Sequence, residues 1–387
     1  MTELFDLLKA SLFTNDPVHI SDRQAVFNEM KNQSIAALPG EWLKTHPIDP
    51  EWRRYCLLQQ SQWVRVMFAQ DEIIRLLEDR SIPFVIIKGA AAAMYYPYPI
   101  LRSMGDVDLL VKRADMERTA ELLEANGFTL THEKRTDLHH YSYSKNDISI
   151  ELHRRLGVID NEDEELLKLF EDGIDNRIWQ VIEGEYKVPV LPPLLNGLVL
   201  IFHINQHLRG GIGLRQIVDW MMYVNQISDA QWKELRILLK HVGMEKLALT
   251  TTSMCRKYLG LEPCFVGCET VDPRVCDEFM AFILEKGSFG IKAGVDGKIA
   301  AFSLSSSDHG GIFRRLQIGG LYRWEAAKKY PILKPFAWLY QAGRILIIII
   351  KNKIGLKKLM KQKENGMEQR KLIEALGLHV DRTIKTE

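Results

Sequence analysis

The chain has 387 residues, 46% hydrophobic and 26% charged, with 51 Lys or Arg against 50 Asp or Glu. This is ordinary globular composition at a length of two or three domains of about 100–200 residues each, and so even a charge argues against a protein that coats nucleic acid through bulk electrostatics. An odd set of five cysteines points to reduced thiols, and neither a basic leader before an apolar run nor a span of roughly 20 apolar residues is present, so a cytoplasmic protein is expected.

Residues 1–80 read as helical. From Glu51 to Arg80 the chain lacks Gly and Pro and is expected to place Trp52, Leu57, Trp63, Val64, Phe68, Ile73 and Leu77 on one flank. Ser81 and Pro83 break that pattern. PFVIIKG is a β-branched apolar run and reads as a buried strand; AAAAMYY then favours helix until PYP stops it. DVDLLV is a second buried strand, and Ala114 to Asn126 an amphipathic helix ended by Asn126-Gly127. Tyr141–Tyr143 and Ile148–His153 read as paired strands around Lys145-Asn146-Asp147, and residues 160–172 as an acidic, solvated helix face. From Pro192 to Leu249 the pattern is helical again, and 260–276 and 303–311 read as loops. The expected fold class is α+β: a small mixed β-sheet core at 83–191, flanked by an N-terminal helical region (1–82) and a C-terminal helical region (192–387).

Asp106 and Asp108 are two apart on one strand, so both carboxylates leave the same face while Val107 packs behind. Two carboxylates this close repel unless a cation lies between them, and a divalent metal is the usual answer. On the next strand Ile148, Ile150 and Leu152 take one face and Ser149, Glu151 and His153 the other. Glu151 set beside the aspartates would give three convergent carboxylates, which suits a two-metal clamp on an in-line phosphoryl displacement. On this reading, removal of Asp108 relieves repulsion and leaves stability almost unchanged. Upstream, Lys88-Gly89-Ala90 joins a strand to a helix start where N–H groups can meet phosphate, and Arg102 adds a second cation.

The span KGAAAAMYYPYPILRSMGDVDLLV, extended by AELLEANGFT and ISIELH, resembles the signature of the uncharacterised bacterial nucleotidyltransferases of the DNA polymerase β-like superfamily. It is distantly similar to aminoglycoside nucleotidyltransferases around the paired aspartates. HINQHL, GLRQIVDW and EKGSFG resemble the helical part of the same family. The resemblance implies a nucleotidyltransferase core that binds Mg²⁺ (two ions, with Mn²⁺ as a substitute) and a nucleoside triphosphate, and transfers NMP to an acceptor hydroxyl with release of pyrophosphate. By motif position it implies Asp106, Asp108 and Glu151 as metal ligands and catalytic carboxylates, with Lys88, Gly89, Ala90 and Arg102 along the triphosphate. The wider superfamily has Gly-Gly or Gly-Ser where this chain has Gly89-Ala90, so a serine hydroxyl that often touches phosphate is missing. The acceptor class stays open between a small molecule, a glycan precursor, a protein and an RNA end, which the balanced charge favours least. Rival readings are a non-catalytic nucleotide-binding or regulatory module of the same fold, and a peripheral scaffold.

His203 and His207 share a helix face and, with His153 and Arg215, are candidates to contact acceptor or phosphate; Ile204 stands where a zinc-protease motif needs Glu. An Arg215–Asp219 intrahelical ion pair is the plain expectation. Cys255, Cys264, Cys268 and Cys276 lack a Cys-x₂-Cys hook and read as thiols rather than a zinc site. The run Ile345–Ile350, followed by lysines, reads as a buried helix segment with a solvated tail; the alternative is a peripheral membrane contact through 335–361.

Overall fold

In the computed structural model, which describes residues 2–46, 49–131, 140–156, 163–292, 311–351 and 356–378, the apolar runs of the middle of the chain enter one seven-stranded mixed sheet. Helices α1 (Thr2–Lys9), α2 (Arg23–Asn32), α3 (Trp42–Thr45) and α4 (Pro50–Asp79) come first. The Asp49 carboxylate accepts the Glu51 N–H at 2.7 Å, and Pro50 opens α4 with φ preset for a helix. Trp52, Trp63, Ile73 and Leu77 are buried, but Leu57, Val64 and Phe68 are exposed. At about 100° per residue these three form a second stripe on the opposite side of the helix, so the single apolar flank read from the sequence is two.

Next come β1 (Phe84–Ile87), the single turn α5 (Gly89–Ala93), β2 (Asp106–Val111), α6 (Met116–Ala125), β3 (Thr129–Leu130), β4 (His140–Lys145) and β5 (Ile148–His153). Asn146 and Asp147 both take positive φ, as the tight two-residue hairpin between β4 and β5 requires. After α7 (Glu164–Asp175) lie two strands absent from the sequence reading, β6 (Ile178–Ile182) and β7 (Tyr186–Val190), joined through Glu183-Gly184. The order across the sheet is β3-β4-β5-β2-β1-β7-β6, with β5/β2 and β1/β7 parallel and the other neighbours antiparallel.

The helical remainder comprises α8 (Pro193–His207), α9 (Leu214–Val224), α10 (Asp229–His241), α11 (Glu245–Leu259), α12 (Pro273–Lys286), α13 (Gly311–Arg323), α14 (Glu325–Lys329), α15 (Ala337–Lys351) and α16 (Leu356–Ala375). Period-two alternation splits the sheet between two cores. Phe84, Ile86, Val107, Leu109, Ile150 and Leu152 pack with residues of α4 and α6. Val85, Ile87 and Leu110 join a larger core that includes α7, α8 and α9. The aspartates share the face of Leu110, so they point toward the helical region.

Two further expectations meet the structure here. In the apolar run of α15, Leu346 and Ile347 are exposed, so this part of it is not the buried segment expected. Residues 303–310 and 352–355, and the side chains of Lys357, Lys358 and Lys361, lie outside the described residues, as do residues 160–162 of the acidic stretch. Among the described residues no helix is long and apolar enough to cross a membrane.

Candidate active site

Parallel pairing of β2 with β5 sets Asp106 opposite Ser149 and Asp108 opposite Glu151. Directly opposed residues on neighbouring strands point the same way, so register alone brings Glu151 beside Asp108. His153, two residues on, shares that face. Its Nε2 lies 2.9 Å from Asp108 Oδ1 and 3.3 Å from Glu151 Oε2. Candidate ligand atoms of Asp108, Glu151 and His153 lie within 4.8 Å of one another, and no other such group of acidic, His or Cys side chains occurs among the described residues.

Lys88 follows β1, which pairs antiparallel with β2 and puts Ile87 opposite Asp108. Its backbone takes φ 55° and ψ −126°, a strained conformation for a residue with a side chain. The Nζ donates to Asp108 Oδ1 at 2.6 Å, with both side chains almost wholly buried. The strain therefore sits at Lys88 and not at Gly89, where an added Cβ would meet only ordinary contacts. Ala90 is fully buried against the core.

The charges around this pocket are unequal. Burial works against ionised Asp108, but Lys88 and His153 outweigh it and hold its carboxyl far below the usual range. The His153 bond holds Glu151 below its ordinary value. Burial and Lys88 press His153 down, yet its bonds to the two carboxylates raise it overall. Asp106 is the exception: burial and then repulsion from Asp108 and Glu151 push it up to about 6.

Arg102 goes elsewhere. It is buried and grips Asp219 of α9 with two 2.7 Å bonds, Nε to Oδ1 and Nη2 to Oδ2, while Tyr96 donates its hydroxyl to Oδ1 at 2.7 Å. Asp219 is thus taken by Arg102 and Tyr96, and the expected bond from Arg215 within α9 is replaced. Arg215 instead reaches the Ser103 carbonyl at 3.4 Å, and its buried Nε finds no hydrogen-bond partner among the described residues.

His203 and His207 do share a face of α8, with Nε2 atoms 3.0 Å apart. Burial and the nearby Lys88 keep His203 well below its ordinary value, and burial with Arg215 brings His207 to about 4. Both are neutral imidazoles at neutral pH.

The sequence reading missed Phe289. Its ring is exposed, lies edge-on to His207 at 5.1 Å between centroids, and has the Arg215 guanidinium 5.5 Å from its centroid. It too is held at positive φ, 55°. The loop carrying it locks onto the loop before α9: a Cβ on Gly211, itself at φ 114°, would sit 2.1 Å from the Gly290 nitrogen. The Gly-rich segments 210–213 and 287–290 were the available signal. Four of the cysteines are buried and Cys264 is exposed; all are free thiols.

The family profile described as "Uncharacterised nucleotidyltransferase" matches residues 22–260, more than half of the chain. No curated protein matches the chain. Among solved structures, the antibiotic-resistance factor ANT(2'')-Ia is 13% identical, with 46% of this chain and 93% of that one covered at a TM-score of 0.33. An antigenic nucleotidyltransferase-like protein from Paracoccidioides brasiliensis is 16% identical, with 51% and 93% covered at a TM-score of 0.31. On the strength of the family match, this chain belongs to the family of uncharacterised nucleotidyltransferases.

Proposed function

We propose that the protein transfers NMP from a nucleoside triphosphate to an acceptor hydroxyl and releases pyrophosphate, using a divalent cation held by Asp108, Glu151 and Asp106. The observation that carries this reading is the parallel register that sets Asp108 against Glu151 beside Lys88, in a chain of this family. The donor set fits a hard cation such as Mg²⁺, or Mn²⁺ in its place, because it offers carboxylate oxygens and sparse coverage that leaves room for phosphate. Asp106 is consistent with the same fit: burial first, and then repulsion from Asp108 and Glu151, hold its carboxyl up at about 6 against the pull of Lys88 and Arg215, and a cation beside it would relieve both. Bound there, the metal supplies neutralisation of the charge that builds on the reacting and departing oxygens.

The chain's own groups take the remaining tasks. The Lys88 ammonium neutralises the triphosphate beside the Gly89-Ala90 turn. Glu151, whose side chain is 30% exposed against 4% for Asp108, is the carboxylate an acceptor can reach, and it accepts the hydroxyl proton as the new P–O bond forms and the bond to pyrophosphate breaks. His153 positions Glu151 and Asp108 through one imidazole. Arg215, His203, His207 and Phe289 form the acceptor side, where a guanidinium whose Nε–H has no partner among the described residues and neutral imidazoles suit hydroxyl and phosphate oxygens. A small molecule, a glycan precursor or a protein fits this mixed wall better than a nucleic acid, given the balanced overall charge.

The test is incubation with each labelled NTP, Mg²⁺ and host lysate, followed by identification of the labelled species. Wild-type protein is expected to yield a labelled acceptor and pyrophosphate, and Asp108→Asn or Glu151→Gln to yield neither. Labelling that persists in both variants, or NTP binding with no pyrophosphate from any nucleotide, would move the assignment to a non-catalytic nucleotide-binding module.

A further inference from the structure

The positive charge of this nearly neutral chain is concentrated beyond residue 310. Residues 311–351 carry eight Lys or Arg against a single acid, Glu325, which leaves the rest of the chain with more acids than bases. The same stretch folds into the hairpin of α13 and α15, which pack chiefly along one another. Close approach fixes the pair: a Cβ on Gly320 would sit 1.8 Å from the Ala337 carbonyl oxygen, and Trp324 stacks on Tyr340 with ring centroids 5.3 Å apart. Packing uses up these residues and leaves others facing solvent. Tyr330, Ile332, Phe336, Leu339, Leu346 and Ile347 are exposed apolar or aromatic side chains, and Arg323, Lys329, Lys334 and Arg344 are exposed cations of the same hairpin.

We infer that this hairpin docks the protein on the surface of an anionic lipid bilayer, with the apolar side chains entering the headgroup boundary and the cations meeting lipid phosphates and carboxylates. Two observations select that occupant. Exposed aliphatic and aromatic groups gain by leaving water, which a purely electrostatic partner such as RNA does not offer to Ile332 or Leu346. The net positive charge disfavours a second copy of the same hairpin, since two such faces repel, and it matches the negative potential of anionic lipid, which attracts clustered Lys and Arg within a Debye length. Since no helix among the described residues is fit to cross a bilayer, the contact is a surface one. The inference is independent of the proposed transfer reaction, because docking needs neither nucleotide nor metal.

The experiment is sedimentation of the full chain with phosphatidylcholine vesicles, with and without phosphatidylserine. Wild-type protein is expected to pellet about tenfold more with the anionic vesicles and to be released as salt shortens the screening length toward about 3 Å. The combined substitutions Lys329→Glu, Lys334→Glu and Arg344→Glu should abolish that excess. Ile332→Ser with Phe336→Ser should reduce it several-fold, while Lys233→Glu on the exposed side of α10 should leave it unchanged. Equal pelleting with neutral and anionic vesicles, no pelleting, or full binding by the charge-reversed protein would overturn the inference. So would self-association of the wild type that disappears in the Ile332→Ser, Phe336→Ser protein, because the face would then belong to a second copy. The salt series on the wild type needs no variant, so a folding defect in any of these cannot mask the outcome.

Discussion

Arg102 and Asp219, 117 positions apart in the chain, face each other in a two-pronged ion pair with side chains only 3% and 1% exposed. The pair ties the segment between α5 and β2 to α9. Its geometry is good and Tyr96 adds a third bond, and together these offset the cost of taking the pair out of water. Loss of one partner leaves the other charged and buried. Asp219→Asn or Arg102→Met is therefore expected to lower the unfolding free energy by about 3–5 kcal/mol in a denaturant titration. Arg102 is held away from solvent, so nucleotide affinity per folded molecule should change little, as calorimetric titration would read.

Asp106 gives a pH signature opposite to that of most acids. Its carboxyl is raised from 3.8 to about 6 in the folded chain, so folding favours the protonated form. The stability it contributes is complete below pH 3.8 and is lost as pH rises through 6. Asp106→Asn should then stabilise the metal-free protein at pH 7, by at most about 3 kcal/mol, with no gain below about pH 4. Added Mg²⁺ should narrow the difference between the two proteins. Thermal melts across pH, with and without the ion, make the comparison.

His207 runs the other way. Its imidazole falls to about 4 from 6.5, so its contribution is complete above pH 6.5 and disappears as pH drops through 4. His207→Asn should flatten the acid side of the stability profile between those two values, relative to wild type. Chemical denaturation at a series of pH values measures it.

Phe289 combines exposure with a left-handed backbone that favours glycine. Phe289→Gly should raise the unfolding free energy by roughly 0.5–1 kcal/mol through relief of strain, while lowering kcat/KM for transfer to the acceptor. A rise in stability with unimpaired turnover would remove Phe289 from the acceptor side. Stability melts and steady-state kinetics on the same preparation separate the two.

Asp108 shows where the sequence reading and the structure part. Considered only as one of two neighbouring aspartates, it should be removable with relief of repulsion. In the fold it is buried against Lys88 and His153, so Asp108→Ala would strand a buried ammonium and is expected to destabilise. Asp108→Asn is the milder probe of chemistry. The acid held above its ordinary range is instead Asp106, through burial first and then repulsion from Asp108 and Glu151.

The sequence by itself determined the elements that local chemistry dictates. The β-branched runs at 84–87, 106–111 and 148–153, the helix stop at Asn126-Gly127 and the alternation that puts Glu151 and His153 on one face were legible from residue types and period. So was the β-hairpin turn at Asn146-Asp147. The hairpin of β6 and β7 carried a comparable signal in Glu183-Gly184, but β6 exposes Ile178, Trp179 and Val181 at the sheet edge, so its pattern lacks the inward alternation that marks a strand. Tertiary structure alone decided which charges meet. That Asp108 takes Lys88, that Asp219 takes Arg102 in preference to its own helix neighbour Arg215, and that Phe289 comes to rest against His207 depend on strand order and helix packing across 20 to 117 residues of chain. A carboxylate's partner is set by distance in space and by the cost of burying it unpaired, and neither quantity is encoded in the spacing of residues along the chain.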